Sequence, residues 1–395
     1  MGTSGSKRTG VILGGSGLIG GTLMYYFKTR MPVEMEILAP NSKKLSLRVP
    51  GDINQYFTNV RPDFIVNAAI AAIDSDPQMA FEVNYLGTVN LARKALELGV
   101  PYIHISSAAI LPPGENLTED DQLPLSADLS NYAKSKLMAE MTLKHMHEKE
   151  GLDYSIIRLA VVYGKHDHKI QGFHRLFFSI ADQSMPVLLT RRGVMHSYSN
   201  SSKLPYFIHH ILDNRDEFSG ETYNFVDSSP VELAQIILTI KAYMEMSVPK
   251  EIYLPYPVAK AGRKIIDLLI RGLAKIGIEA RMPGELMFLE NFYKTQTLSA
   301  EKLNRSSYVD PAPEKTVFTQ LPDLIQYYTT RWEQLNLIEP INREFFDPRK
   351  CADEFLRSPE ELIEAIHTGK VDPAANGFDV CKQAGASIES SKGVS

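Results

Sequence analysis

Tyr132 and Lys136 are the residues of this chain whose types and spacing most clearly suit chemistry. They stand four apart in Tyr132-Ala133-Lys134-Ser135-Lys136, inside a stretch of helical patterning, so the two side chains share one face of a helix. An ammonium beside a phenol favours the phenolate. The pair is therefore expected to draw the phenol from its ordinary pKa of about 10 towards neutrality, giving a general acid or base for a carbonyl or a secondary alcohol. Upstream, Tyr102–Ile105 reads as a strand that delivers Ser106 and Ser107 to the carboxyl edge of a sheet, where open α/β sheets hold ligands. Tyr256 and Lys260 repeat the Tyr-x-x-x-Lys spacing, but no comparable strand precedes them.

A second constellation lies at the start of the chain. Gly14-Gly15-Ser16-Gly17-Leu18-Ile19-Gly20 follows an apolar run and precedes the helical stretch GTLMYYFKTR. Glycine at 14, 17 and 20 permits a sharp turn, close approach of backbone N–H groups to a pyrophosphate, and tight helix–sheet packing. This points to a dinucleotide site. A carboxylate for the ribose 2′-hydroxyl of NAD is expected about 20 residues on. That place reads Leu38-Ala39-Pro40-Asn41-Ser42-Lys43-Lys44, with no acid and two lysines. The missing repulsion and the nearby cations favour NADP(H) over NAD, with Asn41 and Lys43 as cofactor-binding candidates, and the same lysines read equally as a solvated loop.

These groups need a scaffold that brings strand ends and helix starts to one edge. The first 165 residues alternate short apolar runs with helical periodicity, the pattern of a doubly wound parallel sheet in an α/β fold. Strands are predicted at Gly10–Leu13, Met35–Ala39, Phe64–Asn67, Tyr102–Ser106 and Ser155–Leu159, and helices at Ala80–Leu98 and Tyr132–His147. Residues 1–165 are thus read as a Rossmann catalytic domain. Residues 166–338, where the alternation loosens around GFHRLFFSIADQ, ETYNFV and VELAQIILTIKAYME, are read as a smaller mixed α/β substrate lobe that returns elements to that domain. Residues 339–395 are a C-terminal helical extension, with a capping box at Ser358-Pro359-Glu360-Glu361 and a disordered end. Val258–Ile276 is an amphipathic helix. Packing on the core is its expected fate, with a membrane surface as the other destination.

Composition narrows the partners. Lys and Arg total 42 against 47 Asp and Glu, a formal net charge of −5, with no basic stripe for gripping nucleic-acid phosphates. No uninterrupted apolar stretch is long enough to span a membrane. Only two cysteines occur, Cys351 and Cys381, which supports neither a disulfide framework nor a zinc site and suits a reducing cytoplasm. Met1–Ser6 fits the short N-myristoylation pattern and is read as a plain flexible terminus. His166-Asp167-His168 is too local to converge on a metal, so no metal is expected. His209-His210 reads as a structural pair. The aromatic group Phe173, Phe177, Phe178, Met287, Phe288, Phe292 and Tyr293 reads as core before it reads as an apolar substrate pocket.

Six motifs in order, GGSGLIG, VNAA (Val66–Ala69), FEVNYLGTVN (Phe81–Asn90), HISS (His104–Ser107), YAKSK and RLAVVYG (Arg158–Gly164), resemble the extended short-chain dehydrogenase/reductase superfamily, within its NAD-dependent epimerase/dehydratase group. RPDFIVNAA and LTEDDQLPL ahead of NYAKSKLMAE are similar to the dTDP-4-dehydrorhamnose reductase branch. The resemblance implies that Ser107 hydrogen-bonds the reacting oxygen with Ser106 beside it, that Tyr132 exchanges the proton, and that Lys136 holds the nicotinamide ribose and tunes Tyr132. It also implies that Gly14, Gly17, Leu18, Ile19 and Gly20 line the pyrophosphate, that Asn67, Ala68 and Ala69 border the adenosine, and that Asn84 in the central helix has a role more structural than chemical. Three places depart from the pattern: Val161 stands where many nucleotide-sugar members have Asn, Leu45-Ser46-Leu47 replaces an LDL-like element with its acid, and Met195–Pro205 lacks the acids often found there.

The implied activity is hydride transfer between NAD(P) and a carbon bearing oxygen, on a small-molecule substrate, with a nucleotide sugar as the leading class and net reduction, epimerisation or dehydration as its outcome. Homodimers are common in the family. A hydroxysteroid- or flavonol-type dehydrogenase, suggested by Val161, the aromatic group and the amphipathic helix, and a catalytically silent cofactor-binding scaffold are the alternatives.

Overall fold

The computed structural model describes residues 7–335 except 32, 74, 168–171, 184, 190–192, 245, 276–285 and 287–288, together with Leu337. Residues 1–329 form one compact unit and residues 330–395 another. The helix expected after Ser358, both cysteines, the N-terminal Met1–Ser6 and the end of the chain lie outside the described residues.

Strands β1 (Arg8–Leu13), β2 (Met35–Leu38), β3 (Phe64–Asn67) and β4 (Tyr102–Ser107) fall within a residue or two of their predicted places. Then come β5 (Gly114–Leu117), β6 (Tyr154–Leu159), β7 (Val161–Tyr163), β8 (Val187–Leu188), β9 (Met195–His196) and β10 (Tyr198–Asn200). The last are β11 (Glu221–Phe225), β12 (Val231–Glu232), β13 (Lys250–Glu251) and β14 (Gln296–Leu298). The main sheet has the order β11-β6-β4-β3-β1-β2, every neighbouring pair parallel. The chain reverses direction of travel at β1, whose two neighbours are β2 and β3, and ligands of doubly wound sheets lie beyond the strand ends at such a switch point.

Alternation along each strand serves two cores. Ile12, Phe64, Val66, Ile103, Ile105 and Ile157 pack on one face with helices α1 (Leu18–Arg30) and, later in the chain, Leu204–Asp213. Val11, Leu13, Ile65, Tyr102, Tyr154 and Ile156 pack on the other. There they meet α2 (Pro50–Asn59), α4 (Gly87–Leu98) and α5 (Asn131–Glu150), the short α3 (Pro77–Ala80) preceding α4. Burial on both faces explains why these strands read as continuous apolar runs.

Two expectations are revised, and one later strand is given its place. The helix predicted over Ala80–Leu98 is interrupted by a π-helical turn, Phe81–Leu86, at whose centre Asn84 makes hydrogen bonds to Ala71 and Ser135. The stretch ETYNFV forms β11, which pairs with β6 along its whole length and adds an edge strand to the main sheet. The amphipathic segment forms a long helix, Tyr256–Lys275, but only part of its apolar surface is packed: Ala259 is buried, whereas Val258, Ile265, Leu268 and Leu269 are exposed.

Candidate active site

The glycine turn is shaped partly by the fold and partly by what must lie over it. Gly14 has φ +82°, and a Cβ there would come within 2.6 Å of the Ala68 carbonyl oxygen at the end of β3. A Cβ at Gly20 would collide with the Gly14 carbonyl. Gly17 differs, because its nearest neighbour would be the Gly14 oxygen at 3.4 Å, an ordinary contact, and it lines a cleft. Protein packing therefore requires glycine at 14 and 20, whereas at 17 it keeps the cleft open. Gly17 is also the N-cap of α1, which has no side-chain cap and no acid in its first turn, so the positive end of the helix is left for an anion. This cradle fits a dinucleotide pyrophosphate.

On the opposite wall, α5 starts on Ser130, whose hydroxyl accepts from the Ala133 N–H at 3.1 Å, and ends at Gly151 in the left-handed region. This fixes the register that buries Tyr132, Lys136 and Glu140 on one face. The Lys136 ammonium donates to the Ile105 carbonyl oxygen at 2.7 Å, and the Ser107 side chain, whose hydroxyl accepts from the Ala109 N–H at 3.2 Å, stands beside the Tyr132 phenol. The cleft, about 530 Å³, is lined by Gly17, Leu18 and Ile19 from α1, Ala68 after β3, Ser106 and Ser107 from β4, and Tyr132 and Lys136 from α5.

The electrostatics correct one expectation. Burial pushes the Tyr132 phenol up rather than down, the Ser107 hydrogen bond drawing it only part of the way back. Lys136 is the group that moves towards neutrality, lowered by burial to about 8 and held from falling further by Glu140. Glu140 is in turn neutralised by Arg158 of β6, with Nη2 at 2.8 Å and Nε within 3.2 Å of the carboxylate. His104, fully buried beside Lys136, is pushed well below the ordinary imidazole range by burial and adds no charge.

Other expected site residues hold the site's walls. Asn67 is buried and donates to the Thr88 hydroxyl at 3.1 Å and to the Tyr102 hydroxyl at 3.0 Å, while its own oxygen accepts from the Ala69 N–H, so its side chain ties β3 to neighbouring elements. Asn84 accepts from the Ala71 N–H at 2.8 Å and donates to the Ser135 hydroxyl at 3.2 Å, linking the loop after β3 to α5. The Asn41 side chain caps its own turn, accepting from the Lys43 and Lys44 N–H groups at 3.1 Å, and both lysines are exposed. A Cβ at Gly15 would come within 2.8 Å of Ala39 Cβ, so this turn begins beside the glycine turn.

Tyr256 and Lys260 do not build a second site: the Tyr256 hydroxyl bonds Glu290, and the Lys260 ammonium sits 5.7 Å from the ring centroid. Asp167 lines the cleft 3.8 Å from His174, whereas His168 lies outside the described residues. Phe173, Phe177 and Phe292 are buried, and Met287 and Phe288 lie outside the described residues. His209 and His210 pair with Asp213 and Ser307.

Sequence reasoning missed the far wall. His196 of β9 is buried and shares a 2.8 Å hydrogen bond with the Asn291 carbonyl. Gln296 of β14, opposite His196 in the sheet register, donates to the carbonyls of Ala108 and Leu111 at 3.2 Å. Both line the cleft with Asn291, Val161 and Val162. No local pattern announces them, because their partners stand about a hundred or more residues away.

Residues 11–194 match the NAD dependent epimerase/dehydratase family. The dTDP-4-dehydrorhamnose reductase of Sinorhizobium fredii is 29% identical over 169 residues, covering 41% of this chain and 53% of that protein, so the match takes in about half of the relative's length. A decarboxylating sterol-4-alpha-carboxylate 3-dehydrogenase of Candida albicans is 24% identical over 300 residues, 68% of this chain and 85% of that protein. Among solved structures, a dTDP-4-dehydrorhamnose reductase from Bacillus anthracis in complex with NADP superposes with a TM-score of 0.57 at 17% identity, over 81% of this chain and 99% of that one, a likeness of fold.

Proposed function

We propose that this chain, whose residues 11–194 belong to the NAD dependent epimerase/dehydratase family, is an NAD(P)-dependent oxidoreductase that reduces a carbonyl, with Tyr132 as the general acid and a nucleotide sugar as substrate. The observation that carries the reading is one cleft with a glycine cradle on one wall and Tyr132, Ser107 and Lys136 together on the other. When bound, the cofactor supplies a hydride from its nicotinamide ring. The N–H groups at the start of α1 hold the pyrophosphate, and the Asn41–Lys44 turn with its exposed lysines favours the 2′-phosphate of NADP(H). Ser107 and Tyr132 orient the carbonyl oxygen. A phenol kept protonated by burial is ready to give a proton, and the Lys136 charge stabilises the phenolate it leaves.

The test is NADPH oxidation with 4-keto nucleotide sugars by the wild type and by Tyr132→Phe. The variant loses about 10²- to 10⁴-fold in rate while its cofactor-induced thermal shift is retained. An unchanged rate in the variant would sink the reading. A larger shift with NAD than with NADP at equal concentration would reverse the cofactor preference.

A second reading, an apolar secondary alcohol as substrate, is favoured by the cleft wall. Ile70, Ile73, Val161 and Val162 line it, and among the described residues Lys136 is the cleft's one cation, which leaves little to hold a sugar diphosphate. Turnover of hydroxysteroids with none of nucleotide sugars would select this alternative.

A further inference from the structure

We propose that the helix Tyr256–Lys275 is an in-plane anchor that seats the protein on an anionic phospholipid surface. This rests on the helix alone and is independent of the function proposed above. Four large apolar side chains stand out on it: Val258 (57% exposed), Ile265 (62%), Leu268 (73%) and Leu269 (58%). At 100° per residue they fall within an arc of about 100°. The helix has a separate inner edge, where Ala259 is buried and Ile266 and Ile270 are half-buried. Among the described residues, the outward row is thus surplus to what attaches the helix to its own protein.

Charge identifies the occupant. Lys260, Lys264, Arg271 and Lys275 recur at i, i+4, i+11 and i+15, forming a row that borders the exposed apolar arc on the Leu268 side. With Arg263 the helix carries five cations against one acid, Asp267, which pairs with Arg271 at 2.7 Å. The chain as a whole has a net charge of −5, so this row runs against the composition. An apolar strip edged by lysine and arginine matches a helix lying at headgroup depth, with aliphatic side chains among the acyl chains and ammonium groups at the phosphates. Tyr253, 63% exposed just before the helix, is a residue type suited to the same depth. At 20 residues the helix runs about 30 Å in the plane. Its start is braced on the neighbouring helix Leu289–Tyr293 by the Tyr256–Glu290 hydrogen bond and by the Tyr293 hydroxyl, which donates to the Leu254 carbonyl at 2.8 Å.

Cosedimentation of the full chain with phosphatidylcholine vesicles, with and without about one third phosphatidylglycerol, tests this. The expected result is binding to the anionic vesicles that falls at high salt. Ile265→Asp with Leu268→Asp, and separately Lys264→Glu with Lys275→Glu, should each lower that binding by about tenfold or more. All four positions are exposed, so the melting temperature and the NADPH-induced thermal shift stay at wild-type values in both variants. No binding to either vesicle, or binding that neither pair of substitutions alters, overturns the proposal. So does a wild-type dimer that Ile265→Asp with Leu268→Asp converts to monomers without any vesicle binding, since a second copy would then be the occupant.

Discussion

At the scale of single residues, burial decides more than neighbouring charge. The Tyr-x-x-x-Lys spacing was legible because a helix repeats every 3.6 residues, and it placed Tyr132 and Lys136 on one face. The direction of the pKa shifts was not legible, because it depends on how completely water is removed from each group. Burial raises Tyr132 and lowers Lys136 to about 8. Lys136 therefore loses its proton, and its stabilisation of the phenolate, as pH rises through that value, so kcat/KM for carbonyl reduction should fall above about pH 8 in a pH–rate profile. The glycines divide in the same manner. Gly17→Val should cost the fold no more than about 1 kcal/mol, the difference of a poorer N-cap, yet weaken cofactor binding by about tenfold or more in a titration. Gly20→Val, which drives a Cβ into the Gly14 carbonyl, should destabilise by about 1–3 kcal/mol in denaturant unfolding.

At the scale of elements, α5 is both scaffold and reagent. Its span was readable to within a few residues, and so was the shared face of Tyr132 and Lys136, whereas its caps, Ser130 and Gly151, come from the structure. The continuation of that stripe to Glu140 was not readable, because the partner that neutralises it, Arg158, arrives on the next strand of the sheet. Glu140→Gln should destabilise the protein by about 3–5 kcal/mol, since it leaves a buried guanidinium without its counter-charge. It should also lower the Lys136 pKa further, because the Glu140 charge is what raises it, so the alkaline limb of the pH profile should move below pH 8. The π-turn at Phe81–Leu86 is the same lesson in backbone form: apolar spacing announced a helix but not the π-turn around Asn84, whose hydrogen-bond partners, Ala71 and Ser135, lie in other segments.

At the scale of the whole molecule, the segments that meet near residue 165 share one compact unit, residues 1–329. The sheet is closed by β11, and one of its faces is covered by Leu204, Phe207, Ile208 and Ile211, all from later in the chain. Burying those four side chains alone is worth on the order of 6–12 kcal/mol, comparable to a whole domain's stability. A fragment ending at residue 165 should accordingly show no cooperative unfolding transition by circular dichroism. The amino-acid sequence by itself determined what depends on neighbours along the chain: the strand–turn–helix with its glycines, the four-residue spacing of tyrosine and lysine, the alternation of strands and helices and the family they resemble. Only the tertiary structure decided which wall faces them. Val161, His196, Asn291 and Gln296 enter one cleft through strand pairings and hydrogen bonds between distant segments, and the amphipathic helix keeps an apolar row outside. Periodicity reports that a face is apolar, but what covers that face is settled by the three-dimensional packing of segments far apart in the chain.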